Sequence, residues 1–207
     1  MNIRLAKLFF FFKKKLPFIW MFVEFVNGVI FKLIYYKIII NNTFDILNKV
    51  DVDKYSYRLL EYGDLKKLSV FFEEQNQDHF LFFKPHGFDI KTLKRLLKNP
   101  SFFQFAVFDD NKIIGYFFLR CFINKQCFNG HIVDERYQGQ GIARIMDKIV
   151  LNIAWSSKFR VFGNASNENI KSIKSFEAIC DYHVIKKLDN NYFYFEYLKS
   201  EKKDINL

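Results

Sequence analysis

The hexapeptide Gln138-Gly139-Gln140-Gly141-Ile142-Ala143 has the composition of an anion cradle. It follows an apolar stretch at 127–133 and opens an amphipathic one at 142–155, so strand, glycine turn and helix come in that order. Glycines at 139 and 141 let the backbone bend tightly and approach a ligand without Cβ interference. The first turn of the following helix offers unpaired N–H groups and the positive end of its dipole, which suits a diphosphate. Two common phosphate motifs are excluded. The spacing G-x-x-x-x-G-K-[ST] is absent, and the G-x-G-x-x-G fingerprint is broken where Arg144 takes the third glycine position.

Imidazoles are the second group of interest, because only they titrate near neutral pH without a perturbed environment. Period-two alternation puts Asn129, His131 and Val133 on one face of the strand that ends at the glycine turn. His131 there is either a general base or a hydrogen-bonded core histidine. His86 lies in the punctuated loop Lys84-Pro85-His86-Gly87-Phe88-Asp89, where an imidazole beside a carboxylate makes a polar handle or an acid/base pair. Glu135 and Asp134, just past the strand end, could act through water or be loop charges beside Arg136. No histidine pair has metal-ligand spacing with Cys, Asp or Glu, so no metal site is expected.

These residues need a scaffold, and the chain supplies one in a definite order. Residues 61–76 and 92–98 read as helices, and 102–108 and 112–123 as strands joined by Asp109-Asp110-Asn111. Asn124-Lys125-Gln126 turns into the strand 127–133, completing an antiparallel meander. After the helix 142–155 come a short strand at 160–165, the tripeptide Asn167-Glu168-Asn169, a helix at 170–179, and strands at 183–188 and 192–198 split by Asp189-Asn190-Asn191.

The stretch from Val133 to Ala143 resembles the signature of the GNAT superfamily of acyl-CoA-dependent N-acyltransferases, [Q/R]-x-x-G-x-[G/A] preceded five residues upstream by an apolar strand end. Gln138, Gly141 and Ala143 fill the signature and Val133 the strand end, while the usual proline two residues later is Glu135. The element order extends the resemblance over 57–198, about two thirds of the chain. It implies an α/β (α+β) GNAT fold: a mixed, mostly antiparallel sheet with splayed central parallel strands, flanked by helices. It also implies acetyl-CoA (coenzyme A) as cofactor, with pantetheine pairing near Val133 between strands 127–133 and 160–165. The amides of Gln138, Gly139, Gln140, Gly141, Ile142 and Ala143 would then hold the pyrophosphate. Asn169 matches an asparagine near the cofactor, although it and Asn167 serve equally as helix caps. The tyrosine that family members use to protonate the departing thiolate is Phe176 here. Water, Ser172, Ser175 or another tyrosine would take over, or the thiolate would leave unassisted. The resemblance makes His131, Glu135 and His86 the candidate catalytic groups.

Composition frames the rest. The chain has 207 residues, half of them hydrophobic, enough for one ordinary domain and something extra at the front. Three cysteines without framework spacing fit a reducing cytosol. Of the net charge of +10, about +6 falls in residues 1–50, where eight Lys or Arg face Glu24 and Asp45. Arg4, Lys7 and Lys13-Lys14-Lys15 interrupt a phenylalanine run, and 16–40 is apolar apart from Glu24, Asn27, Lys32 and Lys37. On a helix Glu24, Asn27, Gly28, Lys32 and Tyr35 fall within roughly 140°, leaving a wide apolar face. That suits an amphipathic helical extension lying in a membrane interface. The rivals are a single transmembrane pass, in which Glu24 and Lys32 would be costly, and a helical hairpin packed on the enzyme or on a second subunit of a homo-oligomer. The expected organisation is an extension at 1–40, a linker at 41–56, a catalytic domain at 57–198 and a polar tail at 199–207. Basic charge with aromatics also suits nucleic acid, but no motif for it is present.

The resemblance narrows the acceptor to a primary amine. The loop around His86 and Asp89, with the strand carrying Arg120, looks similar to GNAT proteins of bacterial surface-polysaccharide assembly, which acetylate nucleotide-linked amino sugars. Arg120 would meet a sugar-nucleotide phosphate or serve as a surface ion-pair partner. A cytoplasmic enzyme, peripheral on the inner face of the membrane, follows from that reading. Alternatives are a protein N-terminus or lysine, an aminoglycoside or a polyamine as acceptor, and a membrane-tethered acyl-CoA-binding module that has lost catalysis.

Overall fold

The computed structural model describes residues 17–50, 54–189 and 191–200, so the basic run from Arg4 to Lys15 and the last residues of the tail lie outside the described residues. Thirteen elements follow in order: helices α1 (Pro17–Ile34) and α2 (Tyr36–Leu47), strand β1 (Ser56–Leu59), helices α3 (Leu65–Glu73) and α4 (Ile90–Leu97), then strands β2 (Phe102–Asp109), β3 (Lys112–Cys121) and β4 (Gln126–Val133). Helix α5 (Ile142–Ser156), strand β5 (Arg160–Ser166), helix α6 (Ile170–Glu177) and strands β6 (Asp181–Lys187) and β7 (Tyr192–Leu198) complete the fold. The seven strands form one sheet in the order β1-β2-β3-β4-β5-β7-β6.

All pairings are antiparallel except that between β4 and β5, and this pair decides where a ligand can enter. The two strands run together only over Gln126↔Arg160, Cys127↔Val161 and Phe128↔Phe162. Beyond that point β4 keeps its partner β3 as far as Val133, and β5 keeps β7 as far as Ser166. Each strand is held on its outer side while the inner edges part, so the sheet opens into a V.

Both faces of the sheet are covered. On one side α1, α2, α5 and α6 pack a core that includes Phe31, Ile39, Phe105, Ile149 and Phe195. On the other, α3 and α4 cover Phe102, Phe108, Tyr116 and Phe118. Strand β2 shows the consequence, since Phe103 and Phe105 serve the first core while Phe102 and Ala106 serve the second. Cys121 and Cys127 face each other across β3 and β4 as buried thiols, and burial raises the Cys127 thiol well above its ordinary value.

Two differences from the expected organisation stand out, and the N-terminal helices take up one of the expected alternatives, packing on the domain. Strand β1, absent from the sequence reading, adds to the β2 edge with Tyr57 opposite Val107. Helix α2 runs through the first part of the segment expected to be a linker. Its Ile39, Thr43 and Ile46 recur at helical spacing and are buried, and Asn42 donates to Ser157 Oγ at 2.8 Å, so tertiary burial wins over the polar look of Asn41-Asn42. The N-terminal segment also breaks at Tyr35 into two helices, both packed on the domain, and Phe31 lies edge-on to Phe103 and Phe159.

Candidate active site

The glycine turn forms as its residue types dictate. Gly139 has φ 79° and Gly141, the N-cap of α5, φ 80°; L side chains rarely adopt this backbone. A Cβ on either glycine would meet nothing within 4 Å, because the turn faces open space. Helix geometry leaves the first-turn N–H groups of Ile142 and Ala143 without intrahelical carbonyls, aimed at that space. Gln138 braces the approach: its Nε2 donates to Val133 O at 3.4 Å and its Oε1 accepts from Lys171 Nζ at 3.1 Å. Gln140 turns away, its Oε1 accepting from Tyr55 at 2.7 Å and Lys54 at 3.1 Å.

From this turn a cleft of about 1090 Å³ runs into the V, bordered by β4 from Asn129 to Val133 and by β5 from Gly163 to Ser166. Its floor carries a polar cluster. His131 Nδ1 lies 3.0 Å from Asp147 Oδ1, which also accepts from Asn129 Nδ2 at 3.2 Å. Asp147 is 1 % exposed, whereas the His131 side chain keeps 16 % of its surface toward the cleft. Burial lowers the imidazole's basicity, but the charge of Asp147 and its hydrogen bond outweigh burial and raise the His131 pKa above the ordinary 6.5. Asp147 Oδ2 and Asn129 Oδ1 are buried without a partner. Tyr197 reaches the same region from β7, and burial first, then Asp147, holds its phenol well above the ordinary value. Gly163 makes the reach possible, since a Cβ there would fall 2.8 Å from Phe195 and 3.1 Å from Tyr197.

The far wall is α6. Asn169 caps it, its Oδ1 accepting from Ser172 N at 3.2 Å, and Asn169, Ser172 and Ser175 all border the cleft. Phe176 does not. It is buried, stacked on Phe195 at 4.8 Å with Tyr197 edge-on at 5.6 Å.

Of the sequence candidates, the structure brings His131, Val133, Gln138, Gly139, Gly141, Ile142, Ala143 and Asn169 to this one cleft. Others are placed elsewhere. His86 has both nitrogens engaged, with Gly87 O and the Tyr116 hydroxyl each at 2.9 Å. A carbonyl can only accept, so Nδ1 carries the proton, while the single Tyr116 hydroxyl proton lies between His86 Nε2 and Gln104 Oε1, which is 3.0 Å away. Burial lowers the His86 pKa, which keeps it neutral among Phe88, Phe102 and Phe118. Asp89 caps α4 by accepting from Thr92 N at 2.9 Å. Arg120 pairs with Glu24 of α1 at 2.5 Å, the ion-pair role, and is not among the residues that border the cleft. Glu135 opens the exposed helical turn Glu135–Tyr137, and Asp134 is tied to Arg136. Among the described residues no three His, Cys, Asp or Glu side chains gather to hold a metal.

Sequence reasoning missed Asp147 and Tyr197. Asp147 had a signal, an acid on the apolar face of α5 among Met146, Val150 and Leu151; Tyr197 had none, because its reach depends on β7 lying beside β5. It also missed Arg144, Lys171 and Lys174, cations that border the cleft around the glycine turn and α6.

A strand pair that splays above a glycine turn at a helix N-terminus, with a titratable cluster on its floor, defines an acyl-CoA-dependent acyltransferase site. The residues fit the cofactor, since the turn is open and offers amides for phosphates while the V leaves unpaired strand edges for an extended arm. The sequence profile of the Acetyltransferase (GNAT) family matches residues 68–182, and the chain belongs to that family. It is a GNAT-type N-acetyltransferase with acetyl-CoA as donor. Solved structures agree on the fold. The GNAT domain of S. lividans PAT aligns with TM-score 0.58 at 16 % identity over 68 % of this chain and 88 % of that one. Ribosomal-protein-S5-alanine acetyltransferase from Vibrio fischeri gives 0.58 at 18 % identity over 74 % and 97 %. Spermidine N-acetyltransferase from Vibrio cholerae, in complex with CoA and spermine, gives 0.56 at 20 % identity over 70 % and 94 %. No curated protein matches the chain.

Proposed function

We propose that this enzyme acetylates the primary amine of a nucleotide-linked amino sugar, working in the cytoplasm at the inner face of the membrane. The carrying observation is the cleft itself. Besides the glycine turn, its border includes Asp78, Phe82 and Phe83, residues outside the cofactor's cradle that an acceptor can meet. Its border holds the aromatic faces of Phe82 and Phe83, suited to a sugar or base, and three cations, Arg144, Lys171 and Lys174, against the carboxylates Asp78 and Glu168. The cations lie around the glycine turn and α6, where the cofactor's phosphates would meet them, so it is Phe82 and Phe83 that favour a sugar or base in the acceptor.

Acetyl-CoA supplies the activated thioester. His131 takes a proton from the acceptor's ammonium, freeing the amine lone pair to attack the thioester carbonyl, while Asp147 holds the ring through Nδ1 and leaves Nε2 for the cleft. Tyr197 borders the same cleft and would be the hydroxyl placed to give a proton to the departing thiolate. Val133, Gln138 to Ala143 and Asn169 hold the cofactor.

Asp78 and Glu168 favour a second reading, a polyamine or protein amine as acceptor, and spermidine and ribosomal-protein acetyltransferases share the fold. Thiol release from acetyl-CoA, measured with nucleotide amino sugars, spermidine, aminoglycosides and N-terminal peptides, separates them. Turnover on a nucleotide amino sugar at least ten-fold above the rest is expected; preference for spermidine or a peptide amine overturns the sugar assignment.

A further inference from the structure

Helix α1 is amphipathic with its polar side turned inward. Glu24 accepts from Arg120 at 2.5 Å and from Arg95 at 3.2 Å. Asn27 Nδ2 donates to Ser101 Oγ at 3.0 Å and Cys121 O at 3.2 Å, and its Oδ1 accepts from Ile123 N at 3.1 Å. Gly28 sits against Asn99 and Pro100, and Phe31, one turn on, is fully buried. The polar strip that would face water on an ordinary surface helix is here the docking strip for the domain.

The apolar side is therefore left outside. Phe22, Phe25, Val26, Val29 and Leu33 recur at helical spacing on it, and Phe22, Phe25 and Leu33 are 61 %, 66 % and 82 % exposed. A continuous apolar stripe of this length on a water-facing helix marks an interaction surface. Charge indicates the partner. Arg4, Lys7 and Lys13 to Lys15 precede α1 in sequence, Lys32 and Lys37 are exposed beside the stripe, and the acid nearest to it, Glu24, is committed inward. An apolar stripe bordered by cations, with the one described acid of α1 turned inward, complements an anionic lipid surface, where phenylalanines enter the acyl boundary and lysines meet phosphates. Among the described residues no helix is long and apolar enough to cross a membrane.

We propose that the outward face of α1, centred on Phe22, Phe25, Val29 and Leu33, docks this enzyme on an anionic membrane surface. The ion pairs and hydrogen bonds of Glu24 and Asn27 make the catalytic domain rigid with that face, so the bilayer orients the cleft. This inference stands apart from the choice of acceptor.

Flotation of the full-length chain with phosphatidylglycerol vesicles and with phosphatidylcholine vesicles tests it, beside the double variant Phe25→Glu/Leu33→Glu. Both substituted side chains are exposed, so unchanged circular dichroism and unchanged calorimetric binding of coenzyme A show that the variant is folded. The expected result is co-flotation of the natural chain with phosphatidylglycerol only, weakened by salt, and a loss of at least ten-fold in the variant. A chain that stays in solution with both vesicles overturns the proposal, as does a folded variant that floats equally well. Sedimentation as a dimer that the variant dissolves, without flotation, assigns the stripe to a second copy and overturns it too.

Discussion

His131 and Asp147 meet 3.0 Å apart with the carboxylate almost fully enclosed, and this pair governs how the site responds to pH. Because the folded-state pKa of His131 is raised above 6.5, the pair's contribution to stability is complete below that pH and is lost as pH rises through the elevated value. Thermal melts at about pH 5.5 and about pH 8.5 should therefore show a larger gap between the natural chain and Asp147→Asn at the lower pH. The proposed base, His131, acts in its neutral form, so turnover should climb with pH through the same value, and Asp147→Asn should shift that limb to lower pH. A pH–rate profile unmoved by Asp147→Asn would separate the carboxylate from the mechanism. His131→Ala is expected to lower turnover by about 100-fold or more while sparing coenzyme A affinity. It also strands a buried carboxylate at a cost of about 3 kcal/mol, so rates must be compared on folded protein. Tyr197→Phe keeps the ring packing and removes only the hydroxyl; a rate equal to the natural one would move the thiolate's proton to Ser172, Ser175 or water.

At the scale of the element, the turn between β4 and α5 does what no single side chain does. Two residues at positive φ aim amides at one space, and a β-branched residue there is strained even where room exists. Gly141→Val should cost upwards of about 1 kcal/mol and remove the calorimetric signal for coenzyme A. Gly63→Ala is the control, because a Cβ there meets nothing within 4 Å and no positive φ is required. Equal binding by both variants would show that the turn does not hold the phosphates. Asn169 combines two duties, capping α6 and bordering the cleft, so Asn169→Ala should cost about 1 kcal/mol of stability and weaken the cofactor together, whereas Asn169→Asp should restore the cap alone.

For the whole molecule, the N-terminal helices belong to the fold as well as to its surface. Phe31 and Ile39 are fully buried in the core shared with β2, α5 and β5. Removing residues 1–40 would thus expose that core, and Phe31→Ala alone should cost about 3 kcal/mol, read as a lowered Tm. A truncated chain as stable as the natural one would show that α1 and α2 are appendages. Arg120 fits the same picture: burial lowers its pKa and Glu24 raises it, so the strand expected to face substrate instead anchors a helix.

Local signals were enough for much of this. The glycine turn, its flanking strand and helix, the order of the later strands and the placement of His131 on one face of β4 all follow from spacing, because each depends on neighbours a few residues apart. The apolar stripe of α1 was legible for the same reason. What tertiary structure alone decided are relations between distant segments: the point at which β4 and β5 part, the meeting of His131 with Asp147 and Tyr197, the capture of His86 by Tyr116, and which side of α1 faces the domain. Periodicity states that a helix has two sides, but only the arrival of Arg95, Arg120 and Ser101 from other elements makes the polar side the inner one, because a buried acid and amide are tolerated only where partners come to meet them.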